Sequence, residues 1–102
     1  MFIVTGIIKF ESEQELARVR DTLIGRAERS RKDAGCIAYT FSVSLEDSSE
    51  IRLTEKWASE ALLQKHLQIP DDEFNSVIGT AKIKSAIVVS NEVTAEKELL
   101  NR

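Results

Sequence analysis

The chain has 102 residues, 42% hydrophobic and 30% charged, with a net charge of −3 at pH 7. That size sets one domain with a small core, which a second subunit would help to complete. The acidic balance argues against nucleic acid or an anionic membrane surface as main partner. The single cysteine, Cys36, excludes an intrachain disulfide and fits a reducing compartment such as the cytoplasm.

In chain order, "FIVTGIIKF" (2–10) reads as a strand rich in β-branched residues, with Phe2, Val4, Ile8 and Phe10 on one face and Ile3 and Ile7 on the other. It has no basic stretch ahead of a long apolar core, so it does not read as a signal peptide. "SEQE" (12–15) is a capping-box signature. The apolar positions Leu16, Val19, Leu23, Ile24 and Ala27 follow at helical spacing, and Gly35 is a fitting stop. The basic residues Arg26, Arg29, Arg31 and Lys32 are interrupted by Glu28 and Asp33, and read as a solvated face near the helix end.

"CIAYTFSVSL" (36–45) alternates, with Ile37, Tyr39, Phe41, Val43 and Leu45 on one face. The turn "EDSSE" (46–50) returns the chain as "IRLTEKW" (51–57), a hairpin that puts Glu55 among Ile51, Leu53 and Trp57. Ser59 caps a short helix to about Leu67, Pro70 ends it, and Asp71 or Asp72 caps the next. Phe74, Val77, Ile78 and Ala81 then recur at helical spacing. "KIKSAIVVSNEV" (82–93) is the last strand, with Ile83, Ile87, Val89 and Val93 on one face and Ala86 and Val88 on the other. Its densest apolar run is too short to cross a bilayer. The order β-α-β-β-α-β, with the second helix broken in two, predicts an α+β, ferredoxin-like fold: a four-stranded antiparallel sheet with helices on one face. Strands with apolar residues on both faces then predict a homodimer packed sheet on sheet.

The only Trp, His and Pro share "EKWASEALLQKHLQIP" (55–70). His66 is either a helix-edge residue with a satisfied hydrogen bond or a proton acceptor beside Trp57 and Glu55. Trp57 and Tyr39 are core residues that could also wall a pocket. Glu55 is either an orienting carboxylate or a strand-edge group reaching solvent. One His and one Cys do not make a zinc site, and the chain lacks a G-x-S-x-G nucleophile elbow, a P-loop and a G-x-G-x-x-G fingerprint.

Trp57, Ser59, Leu63, His66, Leu67 and Pro70, in the pattern W-x-S-x-x-x-L-x-x-H-L-x-x-P, together with "GCIAY" (35–39) and "EKW" (55–57), resemble the antibiotic biosynthesis monooxygenase domain family. The resemblance spans residues 2–93, within a domain of 1–93, and leaves 94–102 as a tail. It implies a dimeric α+β barrel with a pocket between sheet and helices, and a quinol-monooxygenase-like activity. Such enzymes oxygenate small aromatic, anthrone- or quinol-like substrates with O2 and no metal, flavin or haem. Carried onto this chain, His66 and Trp57 are the catalytic candidates, with Tyr39, Glu55 and Phe74 lining the substrate site. The segment "PDDEF" departs from the family, placing Phe74 four residues after Pro70 with no adjacent His. Haem degradation is disfavoured, because residues 74–81 hold no axial His and strand one no Asn. Two other readings stand beside the oxygenase: an isomerase working by proton transfer, and a non-catalytic dimeric ligand-binding module.

Overall fold

The computed structural model describes all of residues 1–102. Its elements run β1 (Phe2–Phe10), α1 (Glu13–Ser30), β2 (Cys36–Val43), β3 (Glu50–Trp57), α2 (Glu60–Leu67), α3 (Asp72–Thr80) and β4 (Ile83–Glu92). The four strands form one antiparallel sheet in the order β2-β3-β1-β4. This is the expected ferredoxin-like arrangement, with the second helical segment split into α2 and α3.

The helices cover one face. Val4, Ala27, Tyr39, Leu53, Trp57 and Leu63 form one core cluster, and Phe10, Leu16, Val19, Leu23 and Ile51 a second. Only 16 of the 102 residues are buried, because the opposite sheet face has no cover. That open face carries Ile7, Ile87 and Val89, exposed by 42%, 69% and 48%. The register explains the grouping: Ile7 pairs with Ile87 and Thr5 with Val89 across β1 and β4.

Three sequence expectations need correction, each for a local reason. A register shift between Cys36 and Ala38 sets Cys36, not Ile37, across from Trp57. Ile37 therefore leaves the core face and is 58% exposed, while Val43 and Leu45 at the strand's far end are exposed as well. A second shift, between Lys9 and Phe10, turns Ile83 onto the helix side, where it packs on the Phe10 cluster, away from Ile87 and Val89. The capping box is half formed. Ser12 Oγ accepts from the Glu15 amide at 3.1 Å, but the Glu15 carboxylate accepts from Arg18 and, at 2.6 Å, from the Lys82 amide. Those bonds, Arg18 first, lower its pKa to about 2.

The stop at Gly35 also acts differently. α1 ends at Ser30, and Gly35 takes its positive φ of 83° in the turn that enters β2. A side chain there would overlap that of Leu62, so glycine is what lets α2 dock against this turn.

Candidate functional site

β3 and α2 converge at Trp57. Alternation along β3 points Ile51, Leu53, Glu55 and Trp57 into the helix-covered side. Ser59 Oγ accepts from the Leu62 amide and starts α2, whose inward face presents Leu63 and His66. The Trp57 ring lies 4.5 Å from the His66 ring, tilted by 31°, and the Tyr39 ring is edge-on to His66 at 5.9 Å. Trp57 Nε1 donates to Glu55 Oε1 at 2.9 Å. Trp57, His66, Tyr39 and Glu55 thus stand together, all buried. Phe74 stands apart: it packs on the Phe10 cluster and reaches His66 only through Arg26, whose guanidinium lies 5.0 Å over its ring.

His66 is 2% exposed, and both ring nitrogens are in use. Nδ1 is 2.7 Å from Asp33 Oδ2, and Nε2 is 3.2 Å from a terminal nitrogen of Arg26. A guanidinium only donates, so Nε2 must accept and Nδ1–H must donate to Asp33. The lone pair that a proton acceptor would use is already taken. No cavity in the molecule is lined by His66, Trp57 or Tyr39.

Arg26 continues the network. It donates to Asp71 Oδ2 at 3.1 Å, and Asp71 also accepts from Arg29 at 2.9 and 3.0 Å while capping α3. Burial opposes the Asp71 charge, but the Arg29 hydrogen bond leads a set of donors that hold its pKa below the usual value. The run read from sequence as a solvated face is therefore corrected at Arg26, whose side chain is 13% exposed and paired with a buried aspartate. Arg31 Nε likewise donates to the Tyr39 carbonyl. The sequence reading missed Asp33, Arg26 and Asp71 as partners of the site. A local signal existed: Arg26 follows Leu23 by three residues and adjoins Ala27, at the edge of the apolar stripe.

Glu55 is the other unusual group. It is 5% exposed, and burial raises its pKa above the ordinary carboxylate value, against the Trp57 hydrogen bond and the positive charge of Arg26. Burial likewise raises the pKa of the Tyr39 hydroxyl, with Glu55 adding to it. An acid whose native pKa is raised binds more protons folded than unfolded between its two pKa values. Its stabilising effect is complete below the unfolded value and is lost as pH climbs through the folded one. Glu55→Gln keeps the acceptor for Trp57 and removes the ionisation. We therefore expect the variant to melt higher than wild type at pH 8, by an order of 1 kcal/mol or roughly 4–8 °C, with the gap closing near pH 4. Calorimetric melts at both pH values check this, and a pH-independent gap would refute it.

Cys36 is half-buried against the Trp57 cluster; desolvation, with Glu55 and Asp33, raises its thiol pKa. No three His, Cys, Asp or Glu side chains gather as a metal-ligand group, and no helix is long and apolar enough to cross a membrane.

A search of curated proteins found no match. A crystal structure from Deinococcus radiodurans, named for antibiotic biosynthesis monooxygenase, superposes with a TM-score of 0.87 at 21% identity, covering 99% of this chain and 100% of that one. A similarly named Nitrosomonas europaea protein gives 0.78 at 11% identity over 93% and 100%. A Mycobacterium tuberculosis protein gives 0.75 at 16% identity over 96% and 100%. At these identities the likeness is one of fold. The family model described as antibiotic biosynthesis monooxygenase matches residues 1–71, which takes in β1, the hairpin and the whole Trp57–His66 segment. The chain belongs to the antibiotic biosynthesis monooxygenase family.

Proposed function

We propose that the protein is a cofactor-independent monooxygenase acting on a small aromatic, anthrone- or quinol-like compound. The observation that carries this reading is the buried carboxyl of Glu55, bonded to an indole and in no salt bridge. Burying a carboxyl without a salt bridge is costly, and the fold gains little from it. A group that takes and returns a proton in a dry setting is what such oxygenation needs. In the anthrone case, deprotonation gives an electron-rich anion that reduces O2. The CH2 carbon ends as a carbonyl that keeps one oxygen atom, and the second oxygen leaves as water with the two hydrogens. The substrate supplies all four electrons, so the overall change requires no separate reductant.

In this reading Glu55 faces the chemistry and Trp57 orients its carboxyl through the indole N–H. His66 and Tyr39 hold the indole, and Phe74 acts at a distance by seating Arg26. The apolar open face of the sheet supports a homodimer that pairs two such faces. A proton-transfer isomerase remains the second reading, because the same carboxyl would serve it without O2. An oxygen electrode separates them: with an anthrone and quinol panel, we expect uptake of one O2 per anthrone oxidised, undiminished by metal chelators. Conversion of a ligand without uptake would favour the isomerase.

A further inference from the structure

A cleft of about 220 Å³ opens between α2 and the β4 side of the sheet, lined by Val4, Glu55, Leu63, Leu67, Val88 and Ser90, with Val89 and Gln64 also at its wall. The strand registers align its floor. Tyr39 pairs with Glu55, Glu55 with Val4, and Val4 with Ser90, so one row crosses all four strands from the buried aromatic cluster to the exposed β4 edge. Gly6, in the next row, lets Val88 sit close: a β-carbon there would lie 3.1 Å from Val88 Cγ2.

Glu55 is the only carboxylate in that wall. Oε1 accepts from Trp57, while Oε2 has no hydrogen-bond partner, although it is not among the sealed, unpartnered polar atoms of the molecule. That oxygen is therefore unsatisfied within the protein and still reachable. The surrounding cleft offers it only apolar walls, with Ser90 and Gln64 toward the mouth.

We infer that this cleft, rather than the neighbourhood of His66, is the ligand site, and that Glu55 Oε2 accepts the proton of an acidic hydroxyl on a small, flat, apolar ligand such as a phenol or enol. The ligand O–H bond breaks, its electron pair stays on the ligand oxygen, and a new O–H bond forms at Oε2. Trp57 Nε1–H, bonded to the other oxygen, keeps the carboxyl oriented through the change. The volume lies below the ~300 Å³ lower end usual for pockets that take drug-sized ligands, which restricts the occupant to a compact fused-ring compound no larger than an anthrone. The polar edge formed by Ser90 and Gln64 suits a second oxygen at the far end of such a ligand. This assignment rests on the acid–base reading of the family site but does not need O2 chemistry.

The single tryptophan reports occupancy, because a ligand at Oε2 changes the acceptor of its N–H. Titrating the intact protein with 1-naphthol, and with naphthalene as the hydroxyl-free control, should change Trp57 emission with one-site saturation. Glu55→Gln should weaken 1-naphthol at least tenfold while leaving naphthalene affinity within twofold. Ser90→Tyr, at an exposed position that fills the mouth, should weaken both probes. No saturable binding of 1-naphthol at millimolar concentration overturns the proposal, as does equal affinity in Glu55→Gln. Unchanged binding in Ser90→Tyr does the same, placing the ligand elsewhere. Glu55-dependent binding without any O2 uptake would keep the cleft and end the oxygenase reading. Uptake indifferent to both substitutions would keep the oxygenase and end the cleft.

Discussion

His66→Ala is expected to lower the melting temperature by roughly 10–25 °C. The substitution empties a site in which an imidazole stacks on Trp57 at 4.5 Å, and strips Asp33 and Arg26 of their shared partner. Lost packing and the loss of one acceptor by the Arg26 guanidinium, which keeps Asp71, together cost about 2–4 kcal/mol, and each kcal/mol moves a domain of this size by ~4–8 °C. His66→Phe should recover the stacking share but not the hydrogen bonds, and so melt between alanine and wild type. Any loss of turnover should then scale with loss of structure. Abolished turnover with a melting point within ~2 °C of wild type would restore His66 as the proton acceptor.

A charge placed at Ile87 is the second large effect. Ile87 is 69% exposed and pairs with Ile7 on the uncovered face. In a lone subunit Ile87→Lys would change stability by less than ~0.5 kcal/mol, since the side chain is already in water. In a homodimer closed by that face, a lysine on each subunit would be desolvated without a partner charge. We expect wild type to elute and scatter as a dimer at micromolar concentration, with a melting point that rises with concentration. Ile87→Lys should be monomeric. A monomeric wild type sinks the proposed assembly.

The element order and the single-sided packing were legible in the sequence, because strand alternation and helical spacing report burial directly. What was not legible depended on pairing. The register shifts at Ile37 and at Phe10 reverse which side chains face the core, and nothing in residues 36–45 or 82–93 alone marks a one-residue slip. The site was half legible. Glu55, Trp57, Tyr39 and His66 do gather as their spacing implies, whereas Phe74 belongs to the other core cluster. The role of Arg26 required knowing that Asp71, forty-five residues later, turns back onto the same helix end. Long-range charge pairing leaves no periodic trace, so a basic run looks the same whether it is solvated or anchored.

The strand order has a kinetic consequence. β1 is the first strand synthesised, yet it lies inside the sheet between β3 and β4, so both its partners come from residue 50 onward. The β2–β3 hairpin can close on its own and β1 can join β3 once Trp57 is out, but β1 keeps one bare edge until β4 has left the ribosome. Such non-local pairing slows folding and leaves an apolar strand with one edge unpaired meanwhile. A nascent chain arrested with Thr80 just outside the exit tunnel should therefore leave β1 more protease-sensitive than in the full chain, with full protection arriving once Glu92 emerges.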